Sequence, residues 1–328
     1  MIRCVGRLAH GCHTAPVPDL LTTGSDLPVV AVVGATATGK SDLGVALAQQ
    51  LGGEVVNADA SQLYRGMDIG TAKLSRGERH GIPHHQLDVL DVREEASVAA
   101  YQESARADLR AIRARGAVPM VVGGSGLYVR ALLDRLEIPP TDPGVRARWE
   151  EELGRVGAEE LHARLAAADP TAAAAIERRN GRRVVRALEV IELTGRPFSA
   201  TMPTREFVAP TVVLGLRADR DVLDRRIADR AARMWRAGLV EEVRGLVEQG
   251  LREGRTASRA VGYAQALRQL DGKLSEDEAV EDTVVATRRL ARRQERWFGP
   301  DARITWLEHD APDLVEQAVA ALTRRPGA

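Results

Sequence analysis

Residues 29–33 (Val-Val-Ala-Val-Val) form an unbroken apolar run that stops at Gly34. Such a run reads as a strand buried on both faces. From Gly39 to Leu51 the apolar positions change to a helical stripe of Leu43, Ala46 and Leu47, halted by Gly52-Gly53. Glu54–Ala58 reads as a second strand, Gln86–Leu90 as a third and Val118–Val122 as a fourth. Ser97 is placed to cap a helix with Val98, Tyr101, Ala105, Leu109 and Ile112 on one side, stopped by Gly116. Strands alternating with helices predict an α/β protein with a parallel sheet flanked by helices.

The rhythm breaks at Pro139-Pro140. Residues up to Pro203 carry only helical pattern, rich in Ala, Arg and Glu, before another buried strand at Thr211–Leu216. The simplest account is an inserted all-helical domain at 139–207, within a core made of 28–138 and 208–328. A helical C-terminal region follows, with helices around Leu223–Met234, Val240–Val247 and Tyr263–Leu270. Ser275 and Glu278 form a capping-box pattern that opens a long helix running to Phe298. Ile304–Leu307 reads as an edge strand and Leu314–Leu322 as a closing helix. Residues 1–27 show no period and lack the apolar stretch of a secretory leader, so they are expected to be a disordered extension.

Composition narrows the class. The chain has 328 residues, 46 Lys+Arg against 46 Asp+Glu, and no apolar run long enough to cross a bilayer. Any nucleic-acid contact must therefore come from local basic faces. The two cysteines, Cys4 and Cys12, leave no disulfide framework and suit a reducing, cytoplasmic setting. Only Lys40, Lys73 and Lys273 are lysine among the basic residues. Abundant arginine is thus weak evidence, and a lysine at a special place is stronger evidence.

Lys40 stands at such a place. Gly34, Ala35, Thr36, Ala37, Thr38, Gly39, Lys40 and Ser41 fit the pattern G-x-x-x-x-G-K-[ST], with a strand before and a helix after. The glycines let backbone N–H groups turn inward around phosphate oxygens, and the helix N-terminus adds partial positive charge. Lys40 adds a full charge, and the Ser41 hydroxyl can hold Mg²⁺. The pattern specifies a polyphosphate, not ATP. No buried strand ends in an obvious metal-holding Asp; Asp88 and Asp91 are loose candidates, and Val121-Val122 runs into Gly123-Gly124.

In an open parallel sheet the carboxyl ends of neighbouring strands share one crevice. Asp59, after the second strand, should then point toward the phosphate loop, where it could take a proton from a nucleophile or merely cap a turn. Ser125, after the fourth strand, could bond a substrate or close its turn. His80, His84 and His85 include an i, i+4 pair, but Pro83 prevents a regular helix through them, and a metal site there is the weaker reading. The tryptophans are core by default. Arg288, Arg289, Arg292, Arg293 and Arg296 share one helix face; Arg178, Arg179, Arg182, Arg183 and Arg186 repeat the spacing, although Asn180-Gly181 interrupts it. Like charges so placed repel unless a polyanion pairs them, which favours a nucleic-acid groove over a solvated face.

The segments GATATGKS, NADASQLYRGMDIGTAK, VGGSGLY, RRVVRALEV, RAVGYA and RRQERWFG together resemble the tRNA dimethylallyltransferase family, the tRNA adenine isopentenyltransferases, over about residues 28–310. The resemblance implies transfer of a dimethylallyl group from dimethylallyl diphosphate to N6 of the adenine 3′-adjacent to the anticodon, with release of diphosphate and Mg²⁺ assisting. By similarity, Thr36–Ser41 hold the diphosphate and Asp59 is the general base. The residues implied to contact the tRNA anticodon stem-loop are Asp59, Ala60, Ser61, Gln62, Ser125, Arg146, Arg182, Arg183, Val184, Val185, Arg186, Arg259, Gly262, Tyr263, Arg292, Arg293 and Trp297. Ser125 stands where the family commonly has Thr, Ala60 replaces the usual Ser, and Ala264 stands where some members have Arg. A monomer acting without a membrane or an obligate protein partner is expected. The rivals are a P-loop small-molecule kinase with a lid-like insert, which would consume ATP, and a P-loop RNA-binding protein without chemistry.

Overall fold

The computed structural model describes residues 27–201 and 205–323. The expectation of a disordered extension therefore falls on residues outside the described ones, Leu27 excepted.

Six parallel strands form the sheet: β1 (Val29–Gly34), β2 (Gly53–Asn57), β3 (His84–His85), β4 (Val118–Val122), β5 (Thr211–Arg217) and β6 (Ile304–Glu308), in the order β3-β2-β4-β1-β5-β6. The unbroken apolar run of β1 is explained by its central place. Val29, Ala31 and Val33 face one core with Tyr101, Leu109, Ile112 and Phe298. Val30 and Val32 face the other, with Leu43, Leu47, Ala318 and Ala321. These residues lie on helices α1 (Lys40–Leu51), α2 (Val98–Ala114), α11 (Glu276–Phe298) and α12 (Leu314–Thr323), so both faces are covered and neither tolerates a polar residue.

The third strand departs from expectation. Only His84 and His85 pair with Val55 and Val56. Gln86 and Asp88 have φ of 58° and 57°, in the left-handed region, which ends the extended chain at once. A single parallel bridge, Tyr64 to Leu90, is all that remains of the expected run.

After α3 (Gly126–Leu133) the chain leaves the sheet and returns beside itself. Arg135 N–H donates to Glu206 O at 2.7 Å, and Val208 N–H to Leu133 O at 2.9 Å, an antiparallel bridge centred on Asp134 and Phe207. Between them lie α4 (Pro143–Val156), α5 (Ala158–Ala168), α6 (Pro170–Ala175) and α7 (Gly181–Thr194). Asp142, Asp169 and Asn180 cap three of these, the first two with proline following. The helices enclose their own apolar cluster around Leu161, Leu165, Ile176, Val184, Val185 and Leu188. A further cluster joins α8 (Arg220–Arg236), α9 (Leu239–Glu248) and α10 (Tyr263–Leu270) to Tyr64 and Met67, through Trp235, Leu239 and Tyr263.

An ion-pair clasp closes the root of the insert. Asp134 is 1% exposed and accepts from Arg303 at 2.7 Å and from Arg130 Nε at 3.1 Å. Arg303 also binds Asp301, and its guanidinium lies 4.1 Å from the Phe207 ring centroid. Removing one partner of a buried pair leaves an uncompensated charge. Arg303→Met is therefore expected to cost about 3 kcal/mol of stability, the low end of the usual range because Arg130 stays on Asp134. Urea denaturation measures this, and an unchanged midpoint would remove the clasp from the fold's stability.

Candidate active site

The phosphate loop leaves β1 at Gly34, whose φ is +138°. A Cβ there would lie 2.4 Å from the Leu216 carbonyl oxygen of β5, so the loop can run this close to its neighbour only with glycine. Gly39 then caps α1, aiming the helix N-terminus back at the loop. Thr38 Oγ1 donates to Ala35 O at 2.8 Å, and Lys40 Nζ to the same oxygen at 2.6 Å, so the loop is braced from within. Burial pulls the Lys40 ammonium down to about 8, while the Asp59 carboxylate raises it and the Arg230 charge lowers it.

Asp59 stands opposite. Asn57 fixes its backbone, donating to Asp59 O at 3.0 Å and accepting from Asp59 N–H at 2.9 Å. Asp59 Oδ1 caps the short turn that follows by accepting from Ser61 N–H at 2.9 Å. Burial pushes the carboxyl pKa up; the Ser61 and Gln62 amides and the charges of Lys40 and Arg230 oppose the rise. Ser125 Oγ accepts from Ala60 N–H at 3.0 Å, so the ends of β2 and β4 are tied together beside the carboxylate. They approach so closely that a Cβ on Gly123 would lie 2.3 Å from the Ala58 backbone. The Ala60 departure is harmless to this tie, which uses only its main chain. The phosphate loop, Asp59 and Ser125 therefore share one crevice, as the sheet rule requires.

A second cation is not legible in the sequence. Arg230 of α8 is largely removed from water, reaches Thr36 Oγ1 at 3.3 Å and acts electrostatically on both Lys40 and Asp59. The available signal was its place at the margin of the buried stripe Leu223, Ile227 and Ala231. Asn57, which fixes Asp59, likewise carries no motif that marks it in the sequence.

The other expected residues separate into two groups. Arg182, Arg183, Arg259, Arg292, Arg293 and Arg296 are exposed. Trp297 is 42% exposed rather than core, with the Arg130 guanidinium 5.9 Å from its ring centroid. Val184 and Val185, by contrast, lie inside the insert's core at 0% and 2% exposure, and Tyr263 is fully buried. These side chains cannot reach a partner, because packing claims them. The Tyr263 hydroxyl donates to Glu242, which also accepts from Ile69 N–H at 2.8 Å and so fastens the 64–73 loop to α9. Gly262 is buried beside it. Arg146 and Arg186 both bind Glu189, itself 0% exposed, at 2.7 and 2.9 Å. Arg186 also donates to the Pro139 and Pro140 carbonyls, which makes it a brace for the insert. Lys73 is likewise a brace, between Asp68 and Asp88 at 2.7 and 2.6 Å. His85 binds Glu54 at 2.7 Å and His84 the Ile82 carbonyl at 2.9 Å. Among the described residues no group of three or more His, Cys, Asp or Glu could hold a metal ion, and no helix is long and apolar enough to cross a membrane.

A glycine-rich loop, two cations and a carboxylate at the carboxyl edge of a parallel sheet define an α/β protein of the P-loop class. The comparisons specify it further. The family model for IPP transferase matches residues 62–301, and that for isopentenyl transferase matches 27–96. A tRNA dimethylallyltransferase of Streptomyces avermitilis is 62% identical over 91% of this chain and 96% of its own length, and one of Thermobifida fusca is 61% identical over 89% and 93%. The crystal structure of the tRNA isopentenylpyrophosphate transferase of Bacillus halodurans superposes with a TM-score of 0.67 at 38% identity, covering 90% of this chain and 97% of that one. A eukaryotic dimethylallyltransferase captured acting on tRNA gives 0.77 at 27% identity, covering 90% and 78%. The chain belongs to the tRNA dimethylallyltransferase family.

Proposed function

We propose that this protein transfers the dimethylallyl group of dimethylallyl diphosphate to N6 of the adenine 3′-adjacent to the anticodon of tRNA. The observation that carries the reading is that Lys40 and Arg230 both bond to the glycine-rich loop, at Ala35 O and Thr36 Oγ1, and lie near enough to Asp59 to act on its charge. An allylic diphosphate ionises readily when the departing charge is stabilised, and the loop amides, Lys40 and Arg230 supply that stabilisation. The adenine amine is a weak nucleophile, because its lone pair is delocalised into the ring. As the allylic C–O bond breaks and the C–N bond forms, the amine loses a proton to Asp59 and diphosphate leaves. The raised pKa of Asp59 makes it a stronger base than an ordinary carboxylate.

Ser41 offers a single hydroxyl at the head of α1, and a magnesium ion readily keeps several waters while binding phosphate oxygens. It would thus be held by Ser41 and the diphosphate together, and would supply further neutralisation of the departing charge.

The target adenine must leave its stack to reach the crevice, which is least costly in a single-stranded loop. Residues 139–207 act as the domain that grips the anticodon stem, with Arg182 and Arg183 on it and Arg292 and Arg293 on α11 contacting phosphates. The decisive assay incubates the protein with unmodified tRNA and labelled dimethylallyl diphosphate without ATP; label in the tRNA supports the reading, and a strict ATP requirement overturns it. Replacing Arg292 and Arg293 together with Gln is expected to weaken tRNA binding and to flatten the slope of log K against log salt by about one per lost phosphate contact. An unchanged slope would take both off the RNA face.

A further inference from the structure

Gln294 lies on the same helix as the exposed arginines but faces inward. Its side chain is 7% exposed. Its Oε1 accepts from the Thr36 backbone N–H at 2.8 Å, and its Nε2 donates to Gly124 O at 3.0 Å. One side-chain amide thus joins the phosphate loop to the turn that carries Ser125. The fit is close, since a Cβ on Gly124 would come within 2.4 Å of Gln294 Nε2. Ala291, one turn earlier, packs in the cluster that holds Ala35 and Ala37 of the loop. Arg292 and Arg293 are exposed, their positions turned away from Gln294 around α11. The helix therefore touches the cradle with one face and presents cations with the other.

We propose that Gln294 is a positioning residue that transmits RNA engagement on α11 to the diphosphate cradle. The inference rests on the reading of Arg292 and Arg293 as RNA contacts. A helix moves as a rigid body, so phosphates that fix its outer face also fix the inward amide. Gln294 then holds Thr36 N–H and Gly124 O in one arrangement, and the cradle loses less freedom when diphosphate arrives. RNA tightens diphosphate, and diphosphate tightens RNA by the same factor.

The test is calorimetric titration with inorganic diphosphate, with and without a saturating unmodified anticodon stem-loop that carries the target adenine. For the wild-type chain we expect the stem-loop to tighten diphosphate at least fivefold. In Gln294→Leu the factor should fall to near one while stem-loop affinity stays close to wild type; the melting temperature should drop modestly, since Thr36 N–H and Gly124 O lose their partner. Retained coupling in that variant, or no coupling in the wild type, overturns the inference and leaves the functional reading standing. Failure of the wild type to bind the stem-loop at all strikes the functional reading instead. Should Gln294→Leu fail to fold, hydrogen exchange of the wild-type 34–38 segment decides. Slower exchange with the stem-loop alone supports the coupling, and unchanged exchange overturns it.

Discussion

Asp59→Asn should lower kcat for prenyl transfer by about 10²–10⁴, the usual contribution of a positioned general base, while leaving tRNA affinity largely intact. Asparagine is isosteric and keeps an oxygen that can accept the Ser61 N–H, so the turn after β2 and its tie to Ser125 survive. What is lost is the capacity to take a proton from the adenine amine. The same logic fixes the acid side of the pH profile. Burial raises the Asp59 pKa, so the active, deprotonated form disappears as pH falls, and sooner than for an ordinary carboxylate. The wild-type rate should decline through that range, and the variant's residual rate should not follow it. Single-turnover kinetics with saturating tRNA measure both; a variant with a near-normal rate would reduce Asp59 to the cap of its turn.

How much of this could be read from the residues depends on the distance over which each feature is specified. The run of β1, the Ser97 cap and the Ser275–Glu278 box are encoded within a few residues, and the structure has them at the expected places. The phosphate loop was equally local. The third strand failed because two left-handed residues, Gln86 and Asp88, end it, and neither is glycine. Arg230 and Gln294 reach Thr36 across 194 and 258 residues of chain, and nothing near Thr36 announces them. In a chain this rich in arginine, Arg230 also has no compositional contrast. Val184 and Val185 show the opposite error. They lie inside a segment matched as RNA-contacting, yet their apolar character on α7 already assigned them to the core.

Lys40→Met is expected to lower kcat/KM for dimethylallyl diphosphate by about 10²–10³, the effect typical of losing one preorganised group that stabilises developing charge. The loop amides and Arg230 remain, which is why the loss stops short of complete. The pH dependence identifies the residue. Because burial holds the Lys40 ammonium at about 8, its charge is present below that pH and is lost as pH rises through it. kcat/KM reports the free enzyme, so in the wild type it should fall above pH 8 as Lys40 becomes neutral. Lys40→Met should have no such limb, because it has no proton there to lose. Lys40→Arg separates charge from size: its guanidinium stays protonated across the accessible range, so whatever activity the altered geometry permits should run flat through pH 8 and beyond. A basic limb near 8 that persists in Lys40→Arg would assign the titration to another group and take Lys40 out of leaving-group stabilisation.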